Sequence, residues 1–572
     1  MCPGAGGSIL PNARGVVDFP SALSRPGAPA MIVAPVSGGP KDTRAPDNSS
    51  AIPAPGVIAG CAGGTAVRGG IVDLDLHRTD LAGLESAMAS GRLTSARLTA
   101  FYTDRIATLD PQLGAVVAVD PTAAEQAAAS DRRRAAGEPP RLLEGIPVLV
   151  KDNMSTGPQL PTTAGSTALA RSRPPEATIA TRLREAGAVL LGKTNLSEWS
   201  NFRSVRSSSG WSAVGGLTRN PHSPERTACG SSAGSAVAVA AALTPVAIGT
   251  ETDGSIVCPA AMNGIVGMKP TLGTVSRTGI VPISAEQDTA GPMTRSVADA
   301  ARVLAAIAGH DPADPVTAES AAHPVPVRPA DRGLAGVRLG VFRVAEGASP
   351  ETDAAFAATL EVLRGHGAVL VDPVELPGTA QAAGAELTAL VTEFARDIDS
   401  YLRSPGVTGP GSLAELVDYN RRHAEVEMPH WGQELFEAAL ATRGDTDDEE
   451  YLAARETAIT LSRRDLDAAL TGHRLDAVIA PTNSPAWRVE LGAGDDFVLS
   501  SSATAAVAGH PHITVPAGGA PDGDGGTLPL GVSLIGPRWA DGDLLALAAA
   551  VQDALPERIL PPLPPAVLPA DG

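Results

Sequence analysis

The stretch "CGSSAGSAVAVAAALTPVAIGTETDGS", Cys229 to Ser255, sets two clusters of hydroxyls and glycines at the ends of a long run of small apolar residues. The run reads as a buried helix that stops before Pro245, followed by a short strand, "PVAIGT", because proline cannot continue a helix. It is not a membrane span. A spanning helix needs about 20 mostly apolar residues, and between Ala233 and Gly249 the run is broken by Gly234, Ser235, Thr244 and Pro245. A plain core helix needs no hydroxyl cluster at each end, so the stretch raises the question of whether both clusters belong to one site.

Outward from this stretch, short apolar runs alternate with helical patterns. "GIPVLVKDN" predicts a strand ending at Lys151, and "ATIATRLREAGAVLLGKTN" a helix, a glycine turn and a strand. "VRLGVFRV", "GAVLVDPVEL", "LDAVIAPT", "PHITVPAGG" and "LPLGVSLIGP" repeat the strand theme, and "DGDLLALAAAVQDAL" closes with a helix. Such alternation predicts an α/β architecture with a largely buried sheet. Residues 71–560 read as the folded domain, with a helical, cap-like insertion at about 380–473 and a Pro-rich tail at 561–572. Residues 1–70 are dense in Gly, Pro, Ala and Ser without period and predict a disordered or leader-like extension.

Composition excludes several classes. A formal charge of −19 and the lack of any Lys/Arg block argue against a nucleic-acid groove, where phosphates must be neutralised. The four cysteines, Cys2, Cys61, Cys229 and Cys258, form no C-x-x-C pair, and they read as free buried thiols with no metal site. "VIAGC" at Val57–Cys61 resembles a lipoprotein cleavage box, but Pro53 and Pro55 break its apolar segment and it lies far from Met1. The expectation is a cytoplasmic protein, with export from a later start as the alternative.

The first cluster, "GSSAG", matches the G-x-S-x-G pattern of a nucleophile elbow centred on Ser232. An elbow needs a strand before it, and "NPHSPERTAC" carries two prolines and no strand pattern. A phosphate loop would need a following G-K-[ST], which is missing. Ser and Gly before a helix are also ordinary caps. The second cluster, "GTETDGS", follows a strand, and its small residues let the backbone turn tightly and aim several N–H groups into one space. That suits an oxyanion hole for acyl transfer with Ser255 as the attacking group. A serine needs a base, and no histidine lies in either cluster. Lys151, at a strand end, is the candidate: burial would lower its pKa until it is neutral and able to accept a proton.

Taken together, "GIPVLVKDN", "PTTAGS", "TRLREAGAVLLGKTNLSEWSNF", "GSSAGSAVAVAAAL", "GTETDGSIVCPAAMNGIVGMKPT", "LDAVIAPT" and "AGHPHITVPAGG" resemble the amidase signature family of serine hydrolases over roughly Val72 to Leu555. "NFRS", "GWSAVGG" and "PISAEQDTAGPMTRSVADAA" are similar to bacterial peptide amidases, which hydrolyse the C-terminal amide of peptides. The resemblance implies a central mixed, twisted sheet covered by helices on both faces. It implies a triad of Lys151, Ser231 on a cis peptide bond, and Ser255 as nucleophile. Ser231 and Ser255 are 24 positions apart, and a helix and strand between them let the chain return. Backbone N–H groups of Thr252, Asp253, Gly254 and Ser255 would form the oxyanion hole, with Ser232 beside it and no metal or cofactor. Asp253 stands where many relatives carry glycine, which makes it a candidate specificity element.

Three rivals stay open: an amidotransferase of the A type that feeds ammonia to misacylated tRNA with a partner protein, an esterase using Ser232 with His310 or His510, and a non-catalytic binding protein. The segment around Arg203–Val214 and the helices after Ala380 are candidate acyl-pocket walls, to which Trp199, Trp211 and Trp431 could contribute. The expected partner is a small-molecule or peptide amide, and the protein is a monomer or homodimer.

Overall fold

Why the apolar runs become one sheet follows from their burial. The computed structural model describes residues 73–569. The expectations for the N-terminal extension, Cys2, Cys61 and the "VIAGC" box lie outside these residues. The central sheet has eleven strands. In chain order they are Val116–Val119 (β1), Pro147–Lys151 (β2), Val189–Thr194 (β3), Val246–Glu251 (β4), Val266–Lys269 (β5), Thr289–Thr294 (β6), Arg338–Val341 (β7), Val369–Val371 (β8), Ala477–Pro481 (β9), His512–Pro521 (β10) and Thr527–Ile535 (β11). Their spatial order is β8-β7-β9-β11-β10-β5-β6-β4-β2-β3-β1. β2 runs parallel to β3 and β4, and β7 parallel to β8 and β9, while the other pairs are antiparallel. Every residue of β2, β3 and β4 is buried, as a sheet covered by helices on both faces requires.

The small apolar run between the two hydroxyl clusters forms helix α1, Ala233–Ala240, with all eight residues buried. Small side chains let it lie directly on its neighbours. A Cβ on Gly234 would stand 2.4 Å from the Ala115 carbonyl and 2.5 Å from that of Asn195, so only glycine fits there. After β4 the chain turns into the short helix α2, Val257–Met262.

Residues 379–472 are helical. The two long helices are Thr379–Leu402 (α3) and Glu449–Gly472 (α4), with shorter ones between. Phe394 of α3 stacks on Phe436 at 5.0 Å, and both belong to a cluster with Trp199, Phe202, Val281 and Ile283. This apolar seam fixes the insertion against the loops that follow β3 and precede β6. Of the Pro-rich tail, Val567–Leu568 pairs with Leu74–Asp75, and Arg105 donates to the Pro564 and Pro565 carbonyls. Among the described residues no helix is long and apolar enough to cross a membrane.

Candidate active site

The ends of β2 and β4 carry the site. Lys151, last residue of β2, is fully buried, and its Nζ lies 2.6 Å from Ser231 Oγ. It also donates to Thr250 Oγ1 at 2.8 Å and to the Thr250 carbonyl at 3.4 Å. No carboxylate among the described residues touches it. Burial therefore drives its pKa down, to about 7, against the weaker pull of Asp288 and Glu251. At a pKa of about 7 the uncharged amine is well populated at neutral pH.

Ser231 follows a cis peptide bond at Gly230–Ser231 and is fully buried. The bond lies in a crowded turn: a Cβ on Gly230 would sit 2.2 Å from Ser197 Oγ. Ser232, the centre of the G-x-S-x-G pattern, is also fully buried. Its hydroxyl donates to the Thr250 carbonyl at 3.0 Å and accepts from the Thr250 N–H at 3.2 Å, so it braces the end of β4. No strand precedes it, and neither His310 nor His510 bonds to it: His310 faces Thr317 and His510 faces the Gly536 carbonyl. The geometry does not support the elbow reading, and the Ser232 hydroxyl braces the end of β4.

Ser255 lies in the loop between β4 and α2. The Ser232 N–H donates to the Ser255 carbonyl at 3.2 Å, which holds the two clusters side by side. The Ser255 hydroxyl makes no hydrogen bond among the described residues, so the structure joins Lys151 to Ser231 and sets Ser255 next to them without closing the last link. Glu251 shapes the loop. Its Oε2 accepts from the Ile256 and Val257 N–H groups at 2.7 and 3.0 Å, which draws the chain into a ring. Gly254, at φ +74°, supplies the left-handed turn inside it. The intervening N–H groups of Thr252, Asp253, Gly254 and Ser255 find no acceptor among the described residues. Unengaged donors in the loop that carries a serine are a source of the hydrogen bonds that a developing oxyanion needs. Asp253 has its Oδ1 buried and without a hydrogen-bond partner. Burial raises its pKa, and burial likewise raises that of Glu386 on α3, which the charge of Asp253 raises further.

The expectation of free thiols is wrong for one pair. Cys229 and Cys258 form a disulfide, with Cα atoms 6.0 Å apart. Spacing of 29 residues gave no local sign of it; the same helix and strand that return Ser255 to Ser231 also return Cys258 to Cys229. The bond ties the residue two before Ser231 to the residue three after Ser255. Closing a loop of that length stabilises by roughly 3–4 kcal/mol on the chain-entropy account. Thr250, Glu251, Gln287 and Asp288 were also missed as parts of the site, since each acts through backbone groups or through another side chain.

A cavity of about 340 Å³ is lined in part by Thr250 and Thr252. Asn153, Thr289 and Tyr401 line it, and each carries a buried oxygen with no hydrogen-bond partner among the described residues (Asn153 Oδ1, Thr289 Oγ1, Tyr401 Oη). Tyr401 comes from α3, so the helical insertion forms one wall. The tryptophans do not line it. Trp199 packs edge-on to Phe436, and Trp211 on Trp431 at 4.9 Å beneath the buried Arg203–Glu198 ion pair. Among the described residues no group of three or more His, Cys, Asp or Glu side chains could hold a metal ion.

Comparison with known proteins bears on this geometry. The Amidase family profile matches residues 97–545. A probable amidase of Arabidopsis thaliana is 38% identical over 476 residues, covering 81% of this chain and 87% of the relative. The A component of the glutamyl-tRNA(Gln) amidotransferase of Salinispora arenicola is 38% identical over 507 residues, covering 84% and 98%. Among solved structures, the native peptide amidase of Stenotrophomonas maltophilia superposes with a TM-score of 0.78 at 47% identity, covering 85% of this chain and 98% of that one. Matched over most of its length to the profile, to these relatives and to that fold, the chain belongs to the amidase family and is an amide-hydrolysing enzyme of the amidase signature type.

Proposed function

We propose that the enzyme releases ammonia from carboxamides, with the C-terminal amide of peptides as its substrate class, through an acyl-enzyme on Ser255. The observation that carries this reading is the buried, carboxylate-free amine of Lys151 at 2.6 Å from Ser231, beside a ring of four unengaged N–H groups. Ser255 Oγ attacks the amide carbon, and its proton passes through Ser231 to Lys151. The carbonyl oxygen, now an oxyanion, accepts from the N–H groups of residues 252–255. Lys151 returns the proton by the same route to the leaving nitrogen, and ammonia departs. Water then adds to the ester, giving its proton to Lys151, and the acid is released with Ser255 restored. The Ser255 hydroxyl makes no hydrogen bond among the described residues, and substrate would supply the alignment, as is common for catalytic hydrogen bonds in unliganded enzymes.

The peptide-amide class rests on the 47% identity to a peptide amidase, and the cavity beside Thr250 and Thr252 offers room for such a substrate. Asp253 Oδ1 would accept an N–H of the substrate. The disulfide favours an oxidising compartment over the cytoplasmic placement, because cytosolic thiols are kept reduced.

The second reading, one component of a tRNA-dependent amidotransferase, has the glutamyl-tRNA(Gln) amidotransferase relatives in its favour. A hydrolysis panel decides between them. The isolated chain, given peptide amides, aryl amides, fatty amides and esters, is expected to release ammonia fastest from peptide amides. Ser255→Ala is expected to lower this rate by about 10⁴-fold or more. An isolated chain inert on every carboxamide, or a Ser255→Ala protein at full rate, sinks the proposal.

A further inference from the structure

The oxyanion ring needs more than unengaged N–H groups; it needs them turned inward. Which way a peptide plane faces is set by whatever holds its carbonyl, because in a trans peptide the C=O and the following N–H point in opposite directions. The cis bonds of the described residues are Gly230–Ser231 and Asp372–Pro373, so the Thr252–Asp253 peptide is trans. Its carbonyl is held by one side chain: Gln287 Nε2 donates to the Thr252 oxygen at 2.9 Å. The Asp253 N–H on the opposite edge has no acceptor among the described residues.

The orientation of the Gln287 amide is itself fixed. Its second Nε2 proton goes to Glu386 Oε1 of α3, and its Oε1 accepts from Arg455 Nη1 of α4 at 3.2 Å. A flipped amide would set oxygen against two acceptors and nitrogen against a guanidinium. Arg455 is held in turn by Glu393 of α3, whose carboxylate also accepts from Tyr451 and Ser284. Gln287 is 2% exposed and Glu393 fully buried, so the network is shielded from water. The neighbouring Asp288 accepts from Thr252 Oγ1 at 2.6 Å, which pins the same residue by its side chain.

We infer that Gln287 is the positioning residue of the oxyanion hole: by gripping the Thr252 carbonyl it aims the Asp253 N–H at the reacting oxygen, and through Arg455 and Glu386 it makes the helical insertion the mount of the catalytic loop. This deepens the reading of Ser255 as nucleophile and rests on it. Gln287 touches no substrate; it acts through one peptide plane.

The test separates the transition state from the ground state. A peptide aldehyde adds the Ser255 oxygen to its carbonyl carbon, the hydroxyl proton passes to the base, and the former carbonyl oxygen becomes an oxyanion in the hole. An uncleaved peptide amide bound to a Ser255→Ala background reports ground-state binding alone. Gln287→Met keeps the volume and removes the grip. It is expected to lower kcat by about 10²- to 10³-fold, the usual effect of losing one oxyanion donor. Aldehyde affinity should fall in parallel, while KM and peptide-amide affinity stay within about threefold. Should the methionine variant not fold, Gln287→Asn, which keeps the amide but is one methylene short, is expected to show the same split with a smaller loss. A folded variant with kcat and aldehyde affinity within about threefold of wild type overturns the inference. So does a variant in which aldehyde and peptide amide weaken together. Wild-type enzyme that hydrolyses peptide amides while these variants match it rejects the role of Gln287 alone; wild type that neither hydrolyses carboxamides nor binds the aldehyde rejects both readings.

Discussion

Lys151 and Lys193 sit near the ends of the adjacent parallel strands β2 and β3, one register step apart, and both are fully buried. Their surroundings give them opposite tasks. Lys193 donates to Asp152 Oδ1 at 2.6 Å and to the Pro161 carbonyl at 3.1 Å, and Asp152 opposes the lowering that burial imposes. Lys151 meets only hydroxyls and a carbonyl, and nothing offsets its loss of solvation strongly enough to keep it charged. One lysine is half of an ion pair that holds the loop after β2; the other is an amine facing a serine. Burial alone does not make a lysine a base. Burial without a carboxylate does.

The contrast can be broken in three ways. The largest effect is expected from Lys151→Met: a loss of about 10³- to 10⁴-fold in kcat/KM, or roughly 4–5.5 kcal/mol of transition-state stabilisation, with the melting temperature nearly unchanged because no charge pair is lost. If instead this variant unfolds and retains its specific activity per folded molecule, the two lysines are alike after all. Lys193→Met is expected to do the reverse. It strands Asp152 in the interior, and breaking a buried pair from one side costs about 3–5 kcal/mol. Denaturant unfolding should show that loss, while the folded fraction keeps kcat near wild type.

The smallest effect is the pH profile. Lys151 is active when neutral, so kcat/KM is expected to rise about tenfold per pH unit up to its pKa near 7 and to level off above it. The sign follows from protonation: below pH 7 the amine gains a proton and can no longer accept one from Ser231. A profile flat from pH 5 to 9 would remove Lys151 as the base.

Much of this was legible in the chain. Lys151 ends an unbroken apolar strand, and Ser231 and Ser255 flank a run whose pattern and Pro245 point to a buried helix followed by a strand. Other parts were hidden for identifiable reasons. Thr289–Thr294 contains Gly291 and Pro292, which speak against a strand, yet the position of β6 demands the glycine: a Cβ on Gly291 would stand 1.9 Å from the Met268 carbonyl. Ser232 matches a nucleophile pattern but braces β4, because the strand that pattern requires is absent before it. The tryptophans could have been pocket walls or core by sequence; Trp199 packs on Phe436 and Trp211 on Trp431.

The sequence by itself determined the α/β alternation, the family, and the lysine and two serines on which the proposed chemistry rests, because periodicity, glycine placement and residue type are local properties written in order along the chain. Tertiary structure alone decided that Cys229 bonds Cys258, that no carboxylate among the described residues pairs with Lys151 while Asp152 pairs with Lys193, and that Gln287 grips Thr252. Each of these depends on which atoms meet across dozens to hundreds of residues, and the electrostatics of a buried group are set by those neighbours rather than by its place in the chain.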